Sequence, residues 1–179
     1  MSIPIFAPAF YPRNVGQRHM IQRKQTLFLL AAALLCGASF LLPVATYRSS
    51  SAETVYLLLT TRVYDPVNAV TIEDASLKYP IYLVYTVLGL ALFIDIFLFK
   101  NRKRQLLILR SAYIFAGLLL VLQLVTHQST TAYLSTGRHL ISSFGPVMFF
   151  PFGIMLFMYL AERGIKKDEE LVKSMDRLR

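Results

Sequence analysis

The chain has 179 residues, of which 55% are hydrophobic and only 16% are charged, and it carries a formal net charge of +9 at neutral pH. A soluble domain of average composition has about 25% charged residues, so this composition argues against a soluble globular protein and favours apolar helices in a membrane. The positive charge does not indicate a nucleic-acid partner, because the basic residues cluster at the ends of long apolar stretches.

The first nineteen residues predict an irregular arm, because three prolines and Gly16 interrupt any regular pattern there. Met20 follows this arm and leads directly, through the residues IQRKQT, into an apolar run. Translation from Met20 is therefore an alternative start, with residues 1–19 as an upstream extension. In both cases residues 20–179 are expected to form a single domain.

Four apolar stretches follow along the chain, each close to the ~20 residues that a helix needs to cross the hydrocarbon core of a membrane. They predict an all-α membrane protein, a four-transmembrane-helix bundle. The predicted spans are residues 25–46, 79–99, 105–126 and 143–162. Cys36 is the only cysteine, so no intramolecular disulfide can form, and its thiol is expected to pack as a small hydrophobic group.

The Lys and Arg residues are unevenly divided between the two sides that four spans would create, with fifteen on the side of the termini and four on the other. Positive charge near span ends is retained on the cytoplasmic side, so both termini are expected there. The basic residues that anchor this topology and contact lipid headgroups are Arg23, Lys24, Lys100, Arg102, Lys103 and Arg104.

The segment between the first two spans, residues 47–78, is expected to be extracytoplasmic and is too long for a simple turn. Its run TVYLLLTTRVY, which begins at Thr54, is rich in β-branched and aromatic residues and is followed by the turn signal Asp65–Pro66. These features favour a short β-hairpin. A helix over residues 52–61 is the alternative, because three consecutive leucines fit either structure.

The last predicted span contains Pro151, which should kink the helix because its missing N–H frees a carbonyl group one turn earlier. Beyond this span, residues 163–179 predict a cytoplasmic helical extension with charges of both signs and one narrow apolar stripe. The stripe is a candidate surface for contact with a partner and consists of Ile165, Val172 and Met175.

Asp95 is the only acidic residue well inside a predicted span, and an ionisable group there is a functional-site hypothesis because its burial is costly. Arg110 is expected at a similar depth in the next span, which favours an inter-helix ion pair over a proton or ion relay. Gln123 is expected to hydrogen-bond a neighbouring helix. His127 and His139 lack the spacing of a metal or haem site, so no cofactor, metal ligand or catalytic residue is predicted.

Three segments carry a resemblance to a known family: MIQRKQTLFLL from Met20, KNRKRQ from Lys100, and the tail from Glu162 to Arg179. Over Met20 to Arg179 the chain is similar to the small four-helix bacterial inner-membrane proteins catalogued as domain of unknown function 4293. The resemblance implies that fold and a multi-pass location in the bacterial inner membrane. It implies no activity, cofactor or catalytic residue.

No hydrolase, nucleotide-binding or zinc motif occurs in the chain. The sequence therefore favours a non-enzymatic accessory, scaffolding or assembly subunit of a larger membrane complex. The expected partners are the lipid bilayer and other membrane proteins or a second copy of the chain, with no nucleic acid and no identified small-molecule substrate. The alternative is a small oligomeric transporter or channel with Asp95 on the ion path.

Overall fold

The computed structural model describes residues 17–49, 55–72, 80–135 and 139–177, with side chains for all of these except residues 17–24, 100, 171–173 and 175–177. Helices dominate, and strands occur in two places along the chain. In chain order the elements are α1 (Gln17–Ala38), β1 (Ala45–Ser49), β2 (Val55–Leu58), β3 (Val63–Asp65), β4 (Val70–Thr71), α2 (Ile81–Phe97), a 3₁₀ turn (Leu98–Lys100), α3 (Arg102–Leu134), β5 (Leu140–Phe144), a second 3₁₀ turn (Pro146–Phe149) and α4 (Phe150–Arg177).

The five strands form one antiparallel sheet in the order β4-β3-β2-β1-β5. β1 is central to it, since Tyr47 lies opposite Tyr56 of β2 on one side and Ser142 of β5 on the other. Alternate residues of β1 face the interior, and Ala45 and Tyr47 are fully buried. The sheet therefore joins the segment after α1 to the segment before α4, which are about ninety residues apart.

The prediction of an all-α protein with four transmembrane helices was wrong. The described residues contain the five-stranded sheet, and only two helical stretches are long and apolar enough to cross a membrane, Arg102–Leu134 and Pro146–Glu170. The two other apolar helical stretches are Gln25–Ala38 and Ile81–Phe97. At about 1.5 Å per residue they reach only ~21 and ~26 Å, which is less than the ~30 Å hydrocarbon core.

The expected spans were misplaced because an apolar run fits a buried strand as well as a helix. Residues 45 and 46 belong to β1, and residues 143 and 144 belong to β5. The strands expected as a short hairpin are present and belong to the larger sheet, and residues 55–61 are not helical. Two helices are longer than expected, since α3 extends beyond the expected third span at both ends and α4 continues through the expected tail.

The four helices pack side by side, with α1 and α3 each contacting both α2 and α4. The interior between them is almost entirely apolar. Its largest fully buried side chains on the helices include Leu29, Leu88, Leu92, Leu109, Leu119, Ile154 and Met158. α1 begins at Gln17, so the last three residues of the expected irregular arm are helical, and residues 1–16 lie outside the described part of the chain.

α1 ends at Ala38 because polar side chains and the sheet take over its last carbonyl groups. The Ser39 hydroxyl donates to the Cys36 carbonyl at 2.7 Å, and the Thr60 hydroxyl, from the connection between β2 and β3, donates to the Ser39 carbonyl at 3.2 Å. The chain then enters the sheet, where the Val44 amide donates to the Leu58 carbonyl at 2.7 Å.

Gly145 allows two backbone segments to meet between β5 and α4. Its amide donates to the Val44 carbonyl at 2.8 Å, and a Cβ at this position would overlap the Pro43 carbonyl group. A side chain cannot be accommodated by rotation, because the group in contact is backbone. The junction between the sheet and α4 therefore depends on a glycine here.

The turn between β3 and β4 is stabilised by Asp65. Its carboxylate accepts hydrogen bonds from the Val67 amide at 2.9 Å, the Asn68 amide at 3.3 Å and the Asn68 side-chain amide at 2.9 Å. These bonds hold the pKa of Asp65 below its usual value. Ala69 closes the turn with a φ of 55°, a left-handed conformation that costs a non-glycine residue energy.

Candidate functional site

Asp95 is the most unusual polar residue of the interior. It lies on α2, two residues before the end of the helix, and its side chain is completely buried. Neither carboxyl oxygen has a hydrogen-bond partner among the described residues. The nearest polar group provided by α3 is Gln105, whose side-chain amide donates to the Asp95 backbone carbonyl at 3.2 Å and not to the carboxyl group.

The expected ion pair between Asp95 and Arg110 is not formed. The Arg110 side chain is 65% exposed, and its Nε lies 3.7 Å from Glu162 Oε1 on α4. The reason is helix geometry: Gln105 faces α2, and a residue five positions later points about 140° away from it around the helix axis. The prediction of this ion pair considered only the depth of Arg110 along its helix. The direction in which Arg110 points from α3 contradicts it.

Glu162 on α4 forms ion pairs with two basic residues, Arg110 and Lys166. Besides Arg110 it accepts from Lys166 Nζ at 2.7 Å, an (i, i+4) pair on α4. Both basic side chains are at least half exposed, so these pairs contribute little to stability, about 0–1 kcal/mol each. Of the two pairs, the one with Arg110 joins α3 to α4, whereas Lys166 and Glu162 both lie on α4.

A cleft of about 590 Å³ opens at the same end of the molecule, between α1, the end of α2, the start of α3 and α4. Its polar side is formed by Gln25, Arg102, Gln105 and Asp168. Arg102 Nη1 donates to the Asp168 backbone carbonyl at 2.7 Å, and Gln25 Nε2 donates to Asp168 Oδ2 at 2.9 Å. These bonds join three helices around the polar side of the cleft.

The basic residues predicted as headgroup anchors divide into two groups. Lys103 and Arg104 are exposed on the first turn of α3, whereas Arg102 is half-buried and lines the cleft. The side chains of Arg23, Lys24 and Lys100 lie outside the described residues. No signal in the sequence separates Arg102 from its neighbours, because its hydrogen-bond partner Asp168 is 66 positions away.

The predicted apolar stripe of the tail is only partly described. Ile165 is 1% exposed and packs in the core of the protein, so it offers no free contact to a partner. The side chains of Val172 and Met175 lie outside the described residues. The charged surface of α4 is formed by side chains between Glu162 and Glu170, which line a shallow pocket together with Tyr159.

A second polar cluster lies at the opposite end of the helices, under the sheet. Gln123 on α3 is fully buried, and its Nε2 donates to the Tyr85 hydroxyl at 2.8 Å and to the Val147 carbonyl at 3.2 Å. The Tyr85 hydroxyl also reaches the Val147 carbonyl, at 3.4 Å. Val147 is four residues before Pro151, which has no N–H to donate to this carbonyl, and the Phe150 amide donates to it within the 3₁₀ turn. Pro151 is the second residue of α4, so it lies in the first turn and not deeper in the helix, where a kink was expected.

His127 lies at this sheet end and contacts Tyr47 of β1. Its ring stacks on Tyr47 with the ring centroids 5.5 Å apart, and its Nδ1 lies 2.9 Å from the Tyr47 hydroxyl. Burial raises the pKa of Tyr47 to about 12, so the hydroxyl remains a donor at neutral pH. His139 is exposed at the start of β5. Among the described residues no group of three His, Cys, Asp or Glu side chains is placed to hold a metal ion.

Two comparisons bear on identity. No curated protein matches the chain. The profile of the family described as Domain of unknown function (DUF4293) matches residues 21–178. The chain belongs to this family.

Proposed function

We propose that this protein is an integral membrane protein that acts through contacts, as a non-enzymatic accessory, scaffolding or assembly subunit of a larger membrane complex. The observation that carries the proposal is the outward-facing surface of the helices, which is apolar on every side. Its most exposed large side chains on the helices include Leu27, Leu34, Leu90, Phe97, Leu107, Ile114, Val121, Phe152 and Leu156. A surface of this kind requires lipid or protein around it.

Two helices supply the membrane-crossing part of this proposal. α3 and the stretch Pro146–Glu170 are long and apolar enough to cross the bilayer, and α1 and α2 pack against them. The expected partners are therefore the lipid bilayer and other membrane proteins, or a second copy of this chain. Among the described residues no catalytic constellation lies on the apolar surface that a partner would cover.

The proposed orientation follows from the two ends of the molecule. The basic turn at residues 100–104 and the charged part of α4 lie at one end, and the sheet lies at the other. Because basic residues are retained on the cytoplasmic side, we place the charged end and both termini in the cytoplasm and the sheet outside, with the bacterial inner membrane as the location. Labelling of single cysteines tests this in a Cys36→Ser background: Val67→Cys should react with an impermeant reagent on intact cells, and Arg104→Cys should not.

Site-specific photocrosslinking in native membranes tests the contact function. A photoreactive residue at Phe93, which is 48% exposed on α2, should form an adduct with a partner protein or a second copy of the chain. The matched control is its neighbour Leu92, which is fully buried and should form none. Recovery of only the isolated monomer from Phe93, Leu34 and Leu156 variants would contradict the proposal.

One observation favours a second candidate function, transport by an oligomer with Asp95 on the ion path: a buried carboxyl group without a described partner is uncommon in a protein interior. The core beside it is apolar, however, since Leu88, Leu92, Leu109 and Ala112 separate it from the polar cluster at the sheet end. Asp95→Asn should abolish flux in reconstituted vesicles if the protein is a transporter. Unchanged flux would exclude this role for Asp95.

A further inference from the structure

The cleft at the charged end combines a cationic group with an apolar wall. Its apolar side is formed by Leu27 and Leu30 of α1 and by Phe97 and Phe99 at the end of α2. These side chains are between 41% and 64% exposed, so the wall is open to the surroundings of the helices. The cleft is thus continuous with the apolar outer surface of the protein.

Arg102 is the charged group on the polar side of this cleft. Its guanidinium donates to a backbone carbonyl, and within the described part of the chain it makes no ion pair with a carboxylate. Its remaining donors are available to an anion, because a guanidinium has five N–H groups. Lys103 and Arg104 follow it on the exposed start of α3 and increase the positive potential around the cleft.

Gln25 and Gln105 complete the polar side with uncharged amide groups. Gly164 allows Gln25 to approach α4 closely, since a Cβ there would meet Gln25 Cγ at 2.7 Å. Gln25 in turn donates to one carboxylate oxygen of Asp168, which is the acidic side chain that lines the cleft among the described residues. Asp168 on α4 is therefore engaged by Gln25 of α1, while Arg102 keeps N–H groups that can donate to a ligand.

We infer that this cleft binds one anionic phospholipid, with the phosphate at Arg102 and an acyl chain along Leu27, Leu30 and Phe97. The inference rests on the proposed membrane location. Charge complementarity selects an anionic headgroup over a zwitterionic one, and the exposed apolar wall selects a lipid over a soluble phosphate. Arginine suits this position because its planar guanidinium binds phosphate oxygens in pairs.

Lipid binding by the purified full-length protein tests the inference. Delipidated protein is reconstituted into phosphatidylcholine vesicles that contain an increasing fraction of phosphatidylglycerol. The lipid molecules that remain bound to the protein are then counted by native mass spectrometry. One phosphatidylglycerol should bind in preference to phosphatidylcholine. Arg102→Gln should weaken this binding about tenfold, whereas the matched variant Arg104→Gln, on the same turn but outside the cleft, should weaken it less than about twofold. Equal losses in the two variants would show diffuse surface attraction and overturn the site.

Two further measurements distinguish between the explanations of a loss of lipid binding. Arg102→Lys keeps the charge but loses the paired donors of the guanidinium, so it should bind phosphatidylglycerol more weakly than the native protein and more tightly than Arg102→Gln. If it binds as weakly as Arg102→Gln while both remain folded, the charge at this position does not hold the headgroup, and the assignment of the phosphate to Arg102 is overturned. Glycerol 3-phosphate should not compete at millimolar concentration, and competition equal to that of the lipid would assign the cleft to a soluble phosphate. Flotation of the protein with phosphatidylcholine vesicles is measured first. If the protein does not float with the vesicles, the proposed membrane function is refuted. If it floats but shows no preference for phosphatidylglycerol, only the lipid site in the cleft is refuted.

Discussion

Replacing Asp95 with alanine should stabilise the protein. The carboxyl group is fully buried and has no described partner, and a polar group left in this state costs about 1–3 kcal/mol. The substitution also gains about 0.5 kcal/mol of helix propensity. Against this, the cavity left behind is on the order of 25 Å³ and costs about 0.6 kcal/mol at ~24 cal/mol per Å³. The free energy of unfolding should therefore rise by about 1–3 kcal/mol.

Unfolding in mixed detergent micelles, followed by circular dichroism, measures this change. Leu92→Ala is the matched control, because Leu92 is equally buried one turn earlier on α2 and its truncation should lower the free energy of unfolding by about 2–5 kcal/mol. A loss of more than about 1 kcal/mol in Asp95→Ala would refute the reasoning. It would mean that the carboxyl group has a stabilising partner, such as a bound cation or a side chain outside the described residues.

Three further substitutions test other parts of the structure in the same unfolding assay. Gly145→Ala should destabilise by about 1–3 kcal/mol, because a methyl group there meets backbone atoms, whereas Gly117→Ala in open space on α3 should be neutral or stabilise by up to about 1 kcal/mol; equal effects would contradict the close approach at the sheet. Ala69→Gly should stabilise by about 0.5–1 kcal/mol by relieving the positive φ, and destabilisation would show that the turn is not strained. A double-mutant cycle of Gln123→Leu and Tyr85→Phe should yield a coupling energy of about 0.6 kcal/mol for their hydrogen bond, and additive effects would show that the bond contributes nothing.

The sequence predicted the features that depend on local properties of the chain. Gln123 forms the inter-helix hydrogen bond expected of it. The basic run at residues 100–104 lies where α3 follows α2, with Lys100 in the 3₁₀ turn and the other three basic residues on the first turn of α3. Each of these expectations needs only the chemistry of one residue and the helix around it.

The prediction for Arg110 shows where such reasoning stops. Its depth could be estimated by counting residues, but its direction depends on how α3 is rotated against α2 and α4. The same limit applies to the cleft, because Gln25, Arg102 and Asp168 come from three separate helices. No spacing within the sequence relates them.

The sequence by itself determined that the chain is rich in apolar helix, that its positive charge is concentrated near residues 100–104 and the two ends of the chain, and that one acidic residue lies within an apolar segment. The tertiary structure decided that residues 45–49 and 140–144 pair as strands, that the apolar part of α1 (Gln25–Ala38) and α2 are shorter than the hydrocarbon core, and that Asp95 faces no counter-charge among the described residues. The physical reason is that hydropathy and charge are sums over neighbouring residues. Strand pairing and side-chain partners depend on contacts between segments that are far apart in the chain.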